Sequence, residues 1–159
     1  MLFIFILIFS YLMGSIPFGY LVPQLWHIDI RRYGSGNIGA TNVFRTLGPA
    51  AGSIVFALDL LKGTIPVALA NWLIGDPWLV IVIAAAAVIG HSYSIFMEFK
   101  GGRGAATGLG ILLGLAPDIF IMALIIGLLI VAVTRYVSLA SIVTPWLVTL
   151  AFISFGRPL

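Results

Sequence analysis

A chain of 159 residues that is 62% hydrophobic and only 8% charged carries more apolar side chain than a water-soluble domain of this size can enclose, since small folded domains leave much of their surface exposed. Eight Lys and Arg against five Asp and Glu leave a net charge of +3, too small a surplus to point to nucleic acid. Cysteine is absent, which excludes disulfides, thiolate metal sites and thiol nucleophiles.

The expected fold is an all-α integral membrane bundle, a single domain over residues 1–159. A spanning helix needs roughly 20 apolar residues, and six segments qualify as candidates: 2–25, 50–74, 78–96, 104–116, 119–133 and 138–155. The first lacks a basic start and runs on through Pro17, so it reads as an uncleaved span and not a signal peptide. After it comes a polar island, Gly34-Ser35-Gly36-Asn37-Ile38-Gly39-Ala40-Thr41-Asn42, with Arg45 beyond. The second span carries Asp59 and Lys62, three apart and so on one helix face. Gly75-Asp76-Pro77 breaks the chain before the third span, near whose end lies His91. A second island follows, Lys100-Gly101-Gly102-Arg103-Gly104-Ala105-Ala106-Thr107-Gly108. The fourth span is short, about 20 Å as a helix against a hydrocarbon core of about 30 Å. Its approach therefore dips into the membrane under cover of protein. Pro117-Asp118 opens the fifth span, and Arg135-Tyr136 precedes the sixth, where Ser138 and Ser141 sit. No tandem or inverted repeat of a transporter stands out.

With alternating topology, Arg31, Arg32, Arg45, Lys100, Arg103 and Arg135 all fall on connections at one face, and only Arg157 lies opposite. The bias of Lys and Arg toward the inside makes the shared face cytoplasmic and the N-terminus external.

Glycine lets backbone N–H groups converge, and a nearby cation adds charge, so each island has the makings of an anion cradle. In the first, Ser35, Asn37, Thr41 and Asn42 supply side-chain donors beside Gly36 and Gly39. Thr41 or Asn42 is placed to cap a following helix, with Arg45 one turn on as a planar fork for phosphate. The competing reading is an interfacial loop with helix caps. In the second, Lys100, Arg103 and the amides of Gly101, Gly102 and Gly104 lead into a helix start, where an anion would meet cations and dipole together. The competing reading is helix packing through Gly104/Gly108 and Gly110/Gly114. Asp59 and Lys62 read first as an internal ion pair that shapes the site, and His91 as structural before catalytic. Arg135 and Tyr136 can equally be an interfacial anchor. Two His with dispersed acids speak against a metal site, and no cofactor is called for. Neither His27 nor His91 heads a His-x-x-x-x-Asp motif, and there is no Gly-x-Ser-x-Gly elbow.

The segments Ser35 to Asn42, Leu58-Asp59-Leu60-Leu61-Lys62-Gly63, Gly90-His91, Lys100 to Gly104 with Ala106-Thr107, and Arg135-Tyr136-Val137-Ser138-Leu139 together resemble the bacterial acyl-phosphate:glycerol-3-phosphate acyltransferases. The resemblance implies an inner-membrane enzyme of phospholipid biosynthesis. Its substrates would be fatty acyl phosphate and glycerol 3-phosphate, met among membrane lipids, and its products 1-acyl-glycerol 3-phosphate and phosphate. It implies essential roles for Ser35 and Arg45, and contact with the glycerol 3-phosphate phosphate for Gly101, Gly102, Arg103 and Gly104, with Lys100 and Thr107 beside them. Arg103 stands where the family more often has Lys. Asp59, Lys62, His91, Ser138 and Ser141 are supporting candidates. The family resembles a seven-span protein with a C-terminal His-Arg-x-Asn-Ile segment, whereas this sequence stops at Arg157-Pro158-Leu159. A member truncated after six spans is therefore expected. Outside this resemblance, a non-enzymatic anion-binding, phospholipid-binding or transport protein accounts for the same cations and glycines. An enzyme using acyl-CoA or acyl carrier protein is a further alternative.

Overall fold

A computed structural model describes residues 1–154, with the backbone alone for 151–153. Arg157 and the end of the sixth predicted span lie outside the described residues. Those described are helical with connecting turns: α1 (Leu2–Ser15), α2 (Phe18–Gln24), α3 (Ala40–Leu47), α4 (Pro49–Leu73), α5 (Pro77–Ser92), α6 (Ala105–Leu115), α7 (Pro117–Thr134) and α8 (Val137–Ser154). Short 3-10 turns at Ile30–Arg32 and Ile95–Met97 lie in the connections. The chain divides into two compact units, Met1–Leu115 and Ala116–Leu159.

The helix starts follow from the sequence. Proline at the first helical position opens α4, α5 and α7, where its missing N–H has no helical partner to lose. Asp76 caps α5 by accepting from the amides of Trp78 (2.9 Å) and Leu79 (3.1 Å). One expectation changes: the first span is not a continuous helix. Pro17 holds Ile16 in an extended conformation (φ −60°, ψ 117°), and α1 and α2 meet at 43°.

Length and composition suit Pro49–Leu73, Pro77–Met97 and Pro117–Thr134 to crossing a membrane, and the bent α1–α2 pair makes a fourth span if counted as one. Helix α6, with 11 residues, reaches only about 16 Å and is covered along one side by α4.

Small residues bring the helices of the first unit close. A Cβ on Gly63 would overlap the Thr107 carbonyl, one on Gly110 the Leu60 carbonyl, and one on Gly114 would sit 2.9 Å from the Thr64 carbonyl. Thr64 Oγ1 donates to Gly110 O across the same contact at 2.9 Å. Helices α1 and α5 meet likewise through Gly14 and Gly90, and Ser10 Oγ donates to Ile83 O at 2.7 Å. Without a hydrophobic drive between helices in lipid, close packing and interhelical hydrogen bonds supply the attraction. Gly110 and Gly114 thus pack as expected. Gly108 does not, since open space lies where its Cβ would be. In the second unit Gly127 of α7 faces the Thr144 hydroxyl of α8.

Candidate functional site

The first glycine-rich loop runs from the Ile30–Arg32 turn to α3. Asp29 receives both the Nε and a terminal nitrogen of Arg31 at 2.9 Å, and Arg31 lies 4.6 Å over the Tyr20 ring. The hydrogen bond from Arg31 holds the Asp29 carboxyl below its ordinary range. Gly34 (φ 58°) and Gly36 (φ 70°) then take the left-handed conformation that favours glycine.

Asn42 ties this loop together. Its carbonyl oxygen accepts from Ser35 N at 3.0 Å, and its amide nitrogen donates to Tyr33 O (3.0 Å), Asn37 O (2.9 Å) and Ile30 O (3.4 Å). Neither Thr41 nor Asn42 caps a helix: α3 begins at Ala40 with Gly39 before it. Asn37 is engaged as well, accepting from Gly39 N at 3.1 Å. Ser35 is exposed at the loop surface and its hydroxyl makes no hydrogen bond among the described residues. Arg45 is exposed in the last turn of α3, with no carboxylate in ion-pair reach among the described residues.

The second loop is held differently. The N–H of Gly101 donates to Ser92 O (3.0 Å) and that of Gly102 to His91 O (3.1 Å), so both complete the C-terminal end of α5, whose last carbonyls need donors. These two amides are therefore not available to an anion. The approach is tight: a Cβ on Gly101 would overlap the His91 carbonyl, and one on Gly102 the imidazole Nε2. Glu98 (φ 51°) and Phe99 (φ 61°) precede the loop in successive left-handed conformations. Such strain costs of order 1–3 kcal/mol per residue and gathers at functional sites. Lys100 and Arg103 are exposed and free of carboxylates among the described residues. Gly104 (φ 76°) turns the chain into α6, whose first-turn amides carry the anion-favouring end of the helix dipole. Thr107 is fully buried, with its carbonyl against Gly63 in the α4–α6 contact.

Beneath the loops lies the Asp59 cluster. Lys62 Nζ stands 2.7 Å from Asp59 Oδ1, and His91 Nδ1 is 3.9 Å from the same oxygen. Lys62, Asp59 and His91 are 1%, 2% and 5% exposed, which makes this an internal ion pair as the sequence suggested. His91, beside that pair, carries the contact to Gly102.

One apolar cluster links the first loop to the turn that precedes the second. Ile38 of the first is buried with Val22, Ile30, Val43, Ala51 and Val55, and Met97, three residues before Lys100, packs on the same group. A cleft of about 340 Å³ opens beside it, lined by Ile16, Pro17, Tyr20, Leu21, Phe96 and Met97. Nothing in the sequence announces this cleft, since it needs the α1–α2 break to meet the turn after α5. Ser138 and Ser141 belong to the second unit and are exposed on α8, with Ser141 Oγ donating to Ser138 O at 2.9 Å.

Comparison with known proteins bears on this arrangement. The family model described as glycerol-3-phosphate acyltransferase matches residues 4–158. The chain is 48% identical over 153 residues to glycerol-3-phosphate acyltransferase 2 of Moorella thermoacetica, covering 96% of this chain and 78% of that protein. It is 50% identical over 137 residues to the glycerol-3-phosphate acyltransferase of Thermotoga petrophila, covering 86% and 70%. Among solved structures, the glycerol 3-phosphate form of PlsY, an integral membrane glycerol 3-phosphate acyltransferase, matches with a TM-score of 0.95 at 42% identity, over all of this chain and 80% of that one. The lysophosphatidic acid form of the same enzyme matches with a TM-score of 0.92 at 42% identity, over 99% and 79%. Two glycine-rich loops, one leading into the helix of Arg45 and the other bearing Lys100 and Arg103, thus sit in a chain that matches these enzymes along nearly its whole length, and the chain belongs to the glycerol-3-phosphate acyltransferase family of integral membrane enzymes.

Proposed function

We propose that this chain moves a fatty acyl group from acyl phosphate to glycerol 3-phosphate, releasing 1-acyl-glycerol 3-phosphate and inorganic phosphate. The observation that carries the reading is the set of exposed cations, Arg45 in the helix after the first loop and Lys100 and Arg103 on the second, with no carboxylate in ion-pair reach among the described residues. Both substrates bring a phosphate, and two cationic loops suit two phosphates.

In this reading the first loop holds the acyl phosphate, with the free Ser35 hydroxyl and Arg45 on its phosphate. The second holds glycerol 3-phosphate through Lys100, Arg103 and the α6 first-turn amides that follow Gly104. Gly101 and Gly102 shape that loop, Asn42 shapes the first, and Asn37, Gly36, Gly39 and Thr41 complete its turn. The acyl chain lies along the apolar cleft beside Tyr20 and Phe96. The glycerol hydroxyl oxygen attacks the acyl carbonyl carbon, the carbon–oxygen bond to phosphate breaks, and a phosphate oxygen takes the hydroxyl proton. Acyl phosphate is already a mixed anhydride, so alignment supplies most of the catalysis, at best about 7–11 kcal/mol, and charge neutralisation by Arg45 and Arg103 adds to it. The two compact units act as one acyltransferase domain, a reading supported by a family match that runs through both. The enzyme lies in the cell inner membrane with its N-terminus external and the loops facing the cytoplasm, supported by the shared side of the cations.

The test incubates purified protein with radiolabelled glycerol 3-phosphate and palmitoyl phosphate, with palmitoyl-CoA as the alternative donor. Labelled lysophosphatidic acid from the acyl phosphate alone is expected. Product from the thioester alone, a trapped acyl-enzyme, or glycerol 3-phosphate flux into vesicles without acyl transfer would overturn the reading.

A further inference from the structure

The break in the first span is held by groups far away in sequence. Ile16 and Pro17 leave the helical conformation, which takes the carbonyls of Ser15 and Ile16 off the helical ladder, so they find other partners. Ser15 O accepts from the Ser94 hydroxyl, and Ile16 O accepts from Phe18 N (3.1 Å) and from Lys62 Nζ (2.9 Å). Lys62 also stands 5.7 Å from the centroid of the Phe18 ring. Its ammonium therefore touches the residues on both sides of Pro17 while remaining paired with Asp59. A lysine that served only to neutralise Asp59, one helical turn away, would not need to reach the main chain 46 residues earlier. Placed there, its positive charge also meets the negative end of the α1 dipole.

What lies beyond the break matters for the loops. On α2, Gly19 presses so closely on the Ile38 carbonyl that a Cβ would overlap it, and Tyr20 carries the ring under Arg31. The seat of the first loop is therefore α2. The second loop is seated on the end of α5, through His91 O and Ser92 O. Anything that fixes α2 against the rest of the unit fixes one loop against the other.

We propose that Lys62 is a positioning residue for acyl transfer: by clamping the Ile16 carbonyl it sets the bend of the first span, and with it the placement of the Ser35 loop against the Lys100–Gly104 loop. This rests on the function proposed above. Losing the clamp leaves each loop able to bind but misaligns the two substrates, which lowers kcat more than it raises KM.

The test separates the clamp from charge balance. Asp59→Asn/Lys62→Met removes both charges together and leaves no buried ion unpaired. Because the chain has no cysteine, nitroxides on Leu12→Cys and Leu25→Cys, both exposed, report the bend as a distance distribution by pulsed electron resonance. Expected are a narrow distribution in the parent, a broad one in the double variant, and at least a tenfold fall in kcat with KM for glycerol 3-phosphate within twofold. An unchanged distribution, or parental kcat in the double variant, would overturn the proposal. If the double variant does not extract as folded protein, Ser94→Ala removes the neighbouring carbonyl partner without touching charge. It is expected to broaden the distribution and lower kcat about threefold, and no effect there counts against the clamp. A parent that makes no product from acyl phosphate would sink the function reading alone, because the distance measurement decides the clamp without turnover.

Discussion

The two glycine-rich loops look alike in composition and are held by opposite means. The loop around Ser35 is organised from within, by the side chains of Asn42 and Asn37. The loop around Gly102 is organised from outside, by the carbonyls that end α5. The glycines differ accordingly. A Cβ on Gly34 would meet the tip of the Asn42 side chain, whereas one on Gly101 would meet the His91 backbone. The Asn42 side chain moves only by giving up hydrogen bonds of its own loop, whereas the His91 carbonyl belongs to a helix end. Glycine richness therefore marks local turn chemistry in one loop and close approach to a helix in the other.

That contrast can be broken most forcefully at Gly101. Gly101→Ala forces the second loop off α5 and is expected to lower kcat/KM at least a hundredfold, while Gly34→Ala strains a left-handed position by about 1 kcal/mol, displaces the Asn42 side chain and costs roughly tenfold. Equal losses in a side-by-side assay would refute the distinction. Asn42→Ala should come next. It removes four hydrogen bonds of the first loop and should lower stability by roughly 2–3 kcal/mol, seen as an earlier thermal transition in detergent, with KM for glycerol 3-phosphate little changed. A smaller effect belongs to Arg103→Lys, which keeps the charge and loses the fork; KM for glycerol 3-phosphate should rise severalfold at constant kcat in initial-rate kinetics. Gly108→Ala should be nearly silent, since open space awaits its Cβ and alanine favours a helix. Activity falling more than twofold would mean that this face of α6 is occupied.

Much of the scaffold was legible because its punctuation is chemical. Asp76-Pro77 and Pro117 place helix starts within a residue or two of the structure, and Asp59 with Lys62 announced a buried pair. The bend at Pro17 was hidden, since the apolar run continues across it and membrane helices tolerate proline. The engagement of the Gly101 and Gly102 amides was hidden for another reason. A cluster of glycines is the same string of letters whether its N–H groups point at an anion or at a carbonyl, and only the end of α5 decides. Asn42 shows the same limit: its side chain suggested a cap or a substrate contact, and the fold made it a knot. The reach of Lys62 to Ile16 depends on tertiary structure altogether.

Whether each loop holds its own substrate is decided by titrating both substrates against Arg45→Ala and Arg103→Ala. Expected is that Arg45→Ala raises KM for acyl phosphate at least tenfold with KM for glycerol 3-phosphate within twofold, and that Arg103→Ala does the reverse. Both variants raising the same KM would contradict it.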